Sequence, residues 1–493
     1  MRKLMKLKPL LSLCLALIVL LTTEGITAMA DELPYDSYNY DYREYIHYTP
    51  APYIPSRTVS GLDFTYNGEA LGKFNNPQDM CQAPDGTIYV ADTNNNRIVV
   101  LDYAMKNVLK VITTFDNNGT EDKFNSPYGV CVSEKGWVYV ADMKNKRVVV
   151  LDENDKLMQI IDNPQSESLD DNFVFSPMKV TVDYADRVYV IAQNMFEGIM
   201  VFESNGEFTN FFGTINVEIS AWDKFWKRLA TKEERANQQL FIPTEFTGID
   251  IDPEGFVYAS NIDATGIQGV RRLNPRGEDV IKKGANANVG GDLLIDGTSD
   301  YSGASQFTDV VYRDNGIYSC LDRKRGRIFT YDHEGNLLYI FGGLGTQEGT
   351  FSLPTAVEDI GGRIAVLDAT KACIICFQET EYGRLINEAV ALRYDGDEAE
   401  AVALWQRVLE LDENNELANT GIGKAYLTAG DYEKAMHYLE IGMARNYYSI
   451  AFKRYRNQVL TENLSWLLTG VVILAGAWFV FKQIKKRKKG EED

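Results

Sequence analysis

The sequence predicts a mainly β protein, a six-bladed β-propeller followed by a small all-α module and one apolar helix suited to a single bilayer crossing. Three observations lead there. A short text of proline, β-branched and aromatic runs returns with a period near fifty residues, as at Pro77, Pro127 and Pro177. Beyond residue 382 the apolar period changes from that of a strand to that of a helix. Near the C-terminus, Leu464 to Phe481 contains no charged residue.

The repeats decide the architecture. The first holds Asn76-Pro77-Gln78-Asp79-Met80-Cys81, then Ile88-Tyr89-Val90-Ala91-Asp92, then Asn96-Arg97-Ile98-Val99-Val100-Leu101-Asp102. The second answers with Ser126-Pro127-Tyr128-Gly129-Val130-Cys131, Val138-Tyr139-Val140-Ala141-Asp142 and Lys146-Arg147-Val148-Val149-Val150-Leu151-Asp152. A third keeps Pro177, Val188-Tyr189-Val190 and Met200-Val201-Phe202, and a fourth Pro243, Val257-Tyr258-Ala259 and Val270 to Leu273. The fifth spans Phe307 to Gly343 and the sixth Pro354 to Phe377. Turn pairs such as Asp85-Gly86 and Asn205-Gly206 separate the runs, so each copy reads as an antiparallel meander. One meander cannot bury both faces; six ranged around an axis can.

These motifs resemble the NHL-repeat family, whose repeats pair a proline-led strand with Tyr-Val-Ala-Asp and Asn-Arg-Ile-Val strands. The resemblance covers residues 61–380 and implies an NHL-type propeller, with a helical insertion at about 214–240. Before it, the Tyr- and Pro-rich residues 31–60 read as an extended arm. Phe64 to Phe74 is expected to supply the strand that closes the last blade.

Residues 381–463 carry Gly396 and Gly430, and Ala401 and Ala435, each pair 34 residues apart. Together with Ile422, Gly423, Ala425 and Tyr426, this resembles the tetratricopeptide consensus, in which small residues let paired helices pack closely. About two such repeats make a helical stalk, and Tyr447 to Asn463 a capping helix.

The two ends indicate export and anchoring. Residues 1–30 combine Arg2, Lys3, Lys6 and Lys8 with an apolar stretch and Ala28-Met29-Ala30, the pattern of a cleaved signal peptide. Residues 464–481 read as a transmembrane helix with Trp466 and Trp478 near its ends, and the basic residues from Lys482 to Lys489 place the tail, 482–493, in the cytoplasm. An uncleaved N-terminal anchor and a buried soluble helix are the respective alternatives. The expected location is therefore a bacterial cytoplasmic membrane, single-pass, with the bulk of the chain outside. The formal charge of −20 includes +3 from each end, leaving −26 between them. That balance argues against nucleic acid as a partner.

Chemistry leaves few signals. Asp92 with Arg97 and Asp142 with Arg147 read as pairs tying neighbouring strands. Five cysteines remain beyond the signal, Cys81, Cys131, Cys320, Cys373 and Cys376, an odd number that argues against a disulfide framework. Cys373 and Cys376 alternate onto opposite faces of one strand and read as structural thiols. His47, His333 and His437 are scattered, so the histidine metal site of a peptide-amidating lyase is not expected. A gluconolactonase-like propeller would hold calcium at its axial mouth, for which Glu245, Asn261 and Asp309 are the available residues. No phosphate loop, HExxH helix or Gly-x-Ser-x-Gly elbow occurs. No catalytic, cofactor or metal residue is therefore assigned. In the insertion, Trp222, Phe225, Trp226 and Leu229 share one helical face, read either as packing on the propeller or as a partner-docking ridge.

The functional expectation is an anchored binding and scaffold protein that needs no cofactor. The layout resembles surface NHL proteins that accompany sugar-uptake transporters, which implies a protein partner in a membrane transporter complex. A calcium-dependent lactone hydrolase is the alternative.

Overall fold

The computed structural model describes residues 33–164, 166, 169, 173–214, 245–263, 266, 269–282, 290–293 and 302–489. The expected signal peptide, Pro243, nearly all of the insertion with Trp222, Phe225, Trp226 and Leu229, and the last four residues lie outside these.

Six antiparallel sheets form the blades of a β-propeller. Their innermost strands are Asp79–Gln82, Pro127–Val132, Pro177–Val182, Phe246–Ile251, Phe307–Tyr312 and Pro354–Ile360, for blades 1 to 6 in chain order. Proline suits the first residue of such a strand because no ladder donor is needed there. The second strands, such as Ile88–Asp92 and Val138–Asp142, are buried at every position. Alternation explains why: Ile88 and Val90 pack into the seam with blade 6, Tyr89 and Ala91 into the seam with blade 2. Six hydrophobic clusters fill the six seams. In blades 2 to 6 the innermost strand carries a bulge between its first and third residues, a repeated irregularity that aims the third residue at the axis.

The ring closes differently from the expectation. Tyr53–Ser60, within the arm, pairs along its whole length with Cys373–Glu379 and is the outermost strand of blade 6. Pro55 is tolerated because this is an edge. Phe64 to Phe74 cannot do the same, since its Asn67-Gly68 turn joins two strands of only two residues, Thr65–Tyr66 and Glu69–Ala70. It instead presses Phe64, Leu71 and Phe74 into the seam between blades 6 and 1. The arm begins with a further hairpin, Tyr38–Tyr40 with Ile46–Tyr48, that pairs Tyr38 with Ile340 and so extends blade 5.

Five helices follow: α1 (Glu381–Asp395), α2 (Glu398–Leu411), α3 (Glu416–Ala429), α4 (Tyr432–Ile441) and α5 (Arg445–Lys489). Thr380 caps α1 by accepting from the Gly383 amide. The expected close packing is present, because a Cβ on Gly421 would lie 2.5 Å from the Trp405 indole nitrogen and one on Gly423 would lie 2.6 Å from Leu439. One continuous core joins blades 5 and 6 to α1, α2 and α3. Helix α5 packs through Ala451, is exposed from Arg456 to Lys485, and is long and apolar enough to cross a membrane.

Candidate functional site

Reading each repeat two residues past Pro77, Pro127, Pro177, Phe246, Phe307 and Pro354 gives Asp79, Gly129, Lys179, Gly248, Asp309 and Ala356, a ring around the propeller axis that alternates charged with small side chains. The Lys179 ammonium crosses the axis to reach Asp79 Oδ1 at 2.5 Å and Asp309 Oδ1 at 3.2 Å. Small residues on the even blades make room for it. At Gly129 the approach is so close that a Cβ would lie 2.4 Å from the Met178 carbonyl oxygen. The carboxylates also stitch neighbouring blades: Asp79 accepts from the Val130 amide at 3.0 Å and Asp309 from the Val357 amide at 3.0 Å.

Two residues further on, Cys81, Cys131, Thr181, Asp250 and Glu358 line the floor of a well of about 480 Å³ that opens on one face of the propeller. Asp250 accepts from the Tyr312 amide of the next blade at 2.7 Å. Burial dominates the electrostatics here, because a carboxylate loses hydration in the narrow axis. It pushes Asp250 up to about 7 against two backbone hydrogen bonds. Asp309 rises to about 6, with burial and the Asp79 charge outweighing Lys179. Glu358 lies well above the usual carboxylate range through burial and the charges of Asp250, Asp309 and Asp79. Burial opposes the charge on Lys179, yet Asp309 and Asp79 together hold its pKa above the ordinary lysine value. The axis thus carries an excess of carboxyl groups over one shared cation, which is why their pKa values lie above the usual carboxylate range. Burial likewise pushes the Cys131 thiol up to about 12, so it is a poor nucleophile at neutral pH.

A second concave region, of about 870 Å³, lies between the Tyr38–Tyr48 hairpin, the outer part of blade 5 and helices α3 to α5. Its keystone is Glu334, in a turn of blade 5, which accepts from Arg393 of α1 and Lys424 of α3, each at 2.6 Å. Burial would raise Glu334, but the two cations hold it down at about 2. Asp412, between α2 and α3, binds His47 of the hairpin at 2.9 Å and accepts from Tyr382 at 3.0 Å. A third knot centres on buried Arg313, which meets Asp359, Tyr339 and Tyr53 at 2.6, 2.8 and 2.6 Å, while Tyr339 donates to Asn387 of α1.

The residues singled out from the sequence fall as follows. Asp92 with Arg97 (2.7 Å) and Asp142 with Arg147 (2.9 Å) are directly opposed partners on adjacent strands. Asp92 and Asp142 also accept from the Asn75 and Asn125 amides at the head of their own blades. Glu245, Asn261 and Asp309 are not brought into one ligand set: Asn261 is buried opposite Phe246, and Asp309 is committed to Lys179 and Val357. Among the described residues no group of three or more His, Cys, Asp or Glu is arranged to hold a metal ion. Cys373 and Cys376 enter separate clusters on opposite faces of their strand. The axial set of Asp79, Lys179, Asp250 and Glu358 was not singled out; aligning the six copies position by position is the signal that finds it.

Comparison with known proteins agrees on the repeat. Residues 74–101, in blade 1, match the NHL repeat. No curated protein matches the chain in sequence. Among solved structures it is similar to a streptogramin B lyase, at 11% identity over 62% of this chain and 94% of that one, with a TM-score of 0.37. It is also similar to virginiamycin B lyase from Staphylococcus aureus, at 10% identity over 63% and 97% with a TM-score of 0.38. Kuenenia stuttgartiensis hydrazine synthase gives 12% identity over 63% and 97%, with a TM-score of 0.38. The chain is thus a six-bladed β-propeller carrying an NHL repeat in its first blade, joined to a C-terminal helical region with one long apolar helix.

Proposed function

We propose that this protein is a membrane-anchored extracytoplasmic binding and scaffold protein. Residues 1–30 export it, 464–481 anchor it, 482–493 remain in the cytoplasm, and an NHL-type propeller is held out on TPR-like helices. The observation that carries this reading is the weld between propeller and helices. Three buried polar knots and one shared core tie blades 5 and 6 to α1 and α3, and the helical region runs on into the apolar stretch of α5. Such a body presents fixed surfaces next to a membrane, where a tether raises its effective concentration for a partner in the same bilayer. A protein partner, with a sugar-transporter complex as the first candidate, fits that arrangement, and nucleic acid does not fit a body of charge −26.

The test has three arms. Crosslinking in intact membranes followed by affinity recovery should return an integral membrane complex. Purified protein given lactones and calcium should show no turnover; chelator-sensitive hydrolysis lost in Glu245→Gln or Asp309→Asn would instead establish the hydrolase. Protease added to protoplasts should leave the C-terminal fragment alone protected.

A further inference from the structure

The cleft between the hairpin, blade 5 and the helices has the volume of a small-ligand site, at about 870 Å³. Its deep charges are already spent: Glu334 on Arg393 and Lys424, Asp412 on His47, Tyr382 and Asn415. What remains uncommitted at depth is neutral. Asn419 is 4% exposed, donates its amide to the Asn415 carbonyl at 3.1 Å, and lines the cleft with a carboxamide oxygen that meets no donor among the described residues. Tyr331 is 2% exposed and also lines the cleft; its hydroxyl accepts from the Gly291 amide at 3.1 Å, while its proton meets no acceptor among the described residues. Asn414 and Asn446 present exposed amides nearer the mouth, and Tyr40 and Tyr447 contribute aromatic surface to the walls.

The Asn419 oxygen and the Tyr331 proton each keep hydrogen-bonding capacity that a polar ligand in the cleft can use. An ion finds no free countercharge at depth, and nearer solvent the exposed Lys282 is opposed by Glu413 and Glu416, which leaves no net attraction for an anion. A molecule rich in neutral hydroxyls can donate to Asn419, accept from Tyr331, bridge the outer amides and lay an apolar face on a tyrosine ring. We propose that this cleft is a binding site for a neutral saccharide. The proposal rests on the reading that the chain works by binding, and adds the class of ligand and its place.

Full-length protein is prepared in a zwitterionic detergent without a sugar headgroup, and binding is followed by calorimetry with maltose, cellobiose and N,N′-diacetylchitobiose. Saturable binding by at least one is expected. Tyr331→Phe, which keeps the ring, should weaken it by about tenfold, the effect of one buried hydrogen bond, and should lower the unfolding midpoint somewhat because the Gly291 amide loses its acceptor. Should Tyr331→Phe disturb the fold, the exposed double variant Asn414→Ala/Asn446→Ala supplies the same comparison. The proposal is overturned if none of the three sugars saturates, or if both variants bind as the wild type does. Binding of spermidine or inorganic phosphate with the same sensitivity to Tyr331→Phe overturns it equally. Recovery of the membrane partner, measured separately with Tyr331→Phe, tells failure of this site from failure of the scaffold reading.

Discussion

Replacing Glu334 by glutamine tests whether the helices are fixed to the propeller or merely follow it. The change keeps the shape and removes the charge that faces Arg393 and Lys424, whose side chains are 5% and 8% exposed. The two cations hold Glu334 down from 4.5 to about 2. At about 1.4 kcal/mol per unit that difference corresponds to about 3 kcal/mol, and partial exposure of the carboxylate reduces it towards about 2 kcal/mol. Breaking a buried pair from one side costs about 3 to 5 kcal/mol by analogy, so the two routes together place the loss at about 2 to 5 kcal/mol. The sign follows from linkage: a depressed carboxyl stabilises fully above its unfolded value and loses that contribution as the pH falls from 4.5 through about 2. Urea unfolding of the full chain, followed by far-ultraviolet dichroism, should show the deficit at neutral pH and its disappearance in acid. A Glu334→Gln variant as stable as the wild type at neutral pH, or with the wild-type acid dependence, would refute the keystone role.

Lys179→Met should cost about 3 to 5 kcal/mol at neutral pH, because Asp79 and Asp309 would remain buried without their cation. Since Asp309 already sits at about 6, raised above its unfolded value, lowering the pH through that value should restore part of the loss; a pH-independent deficit would contradict the axial assignment. Gly129→Ala should destabilise by about 1 to 3 kcal/mol through its clash with the Met178 backbone, and a neutral result would mean that the inner strands of blades 2 and 3 can part. Tyr53→Ala should cost about 3 to 5 kcal/mol, as it empties a fully buried site in the closing strand and strips a partner from Arg313. Tyr66→Ala, in the short hairpin once expected to close the ring, should cost far less, and equal melting-temperature losses for the two would return the closing role to Phe64 to Phe74.

The blades were legible because each repeats the same local problem: a second strand buried on both faces must be apolar throughout, as Ile88 to Ala91 and Val138 to Ala141 are. The closing strand was harder to read. Tyr53-Ile54-Pro55-Ser56-Arg57-Thr58-Val59-Ser60 is an edge, so only one of its sides is paired, its proline is allowed, and its alternation is diluted by polar residues facing out. Phe64 to Phe74 offers the stronger repeat signal, since Asn67-Gly68-Glu69-Ala70-Leu71 echoes Asn205-Gly206-Glu207-Phe208, but here that text makes only a two-residue hairpin whose apolar side chains plug a seam. The axial set is hidden in the linear sequence for another reason. Asp79, Lys179 and Asp309 lie 100 and 130 residues apart in turn, and charge pairing over such separations exists only after the ring has closed.

The weld changes what the helices contribute. Arg393 of α1 and Lys424 of α3 both turn towards blade 5, and Tyr447 at the start of α5 lies beneath the Lys424 ammonium at 4.0 Å. The surface on which consecutive helices converge is therefore spent on the propeller, and the proposed binding role leaves recognition to the propeller faces and to the cleft that the weld creates. Beyond Tyr455 the chain of α5 leaves the body, and Arg456 to Asn463 are exposed before the apolar run begins. Eight helical residues at about 1.5 Å each give a spacer of about 12 Å. Under the proposed topology, a continuous helix entering a rigid body through that short spacer restricts both the height and the tilt of the propeller above the bilayer. Inserting four helical residues after Asn457 would lift the body by about 6 Å and rotate it by about 40°, enough to misplace a docked surface while leaving every internal contact intact. If recovery of the membrane partner survives that insertion undiminished, the helices act as a loose tether and the bracket reading fails.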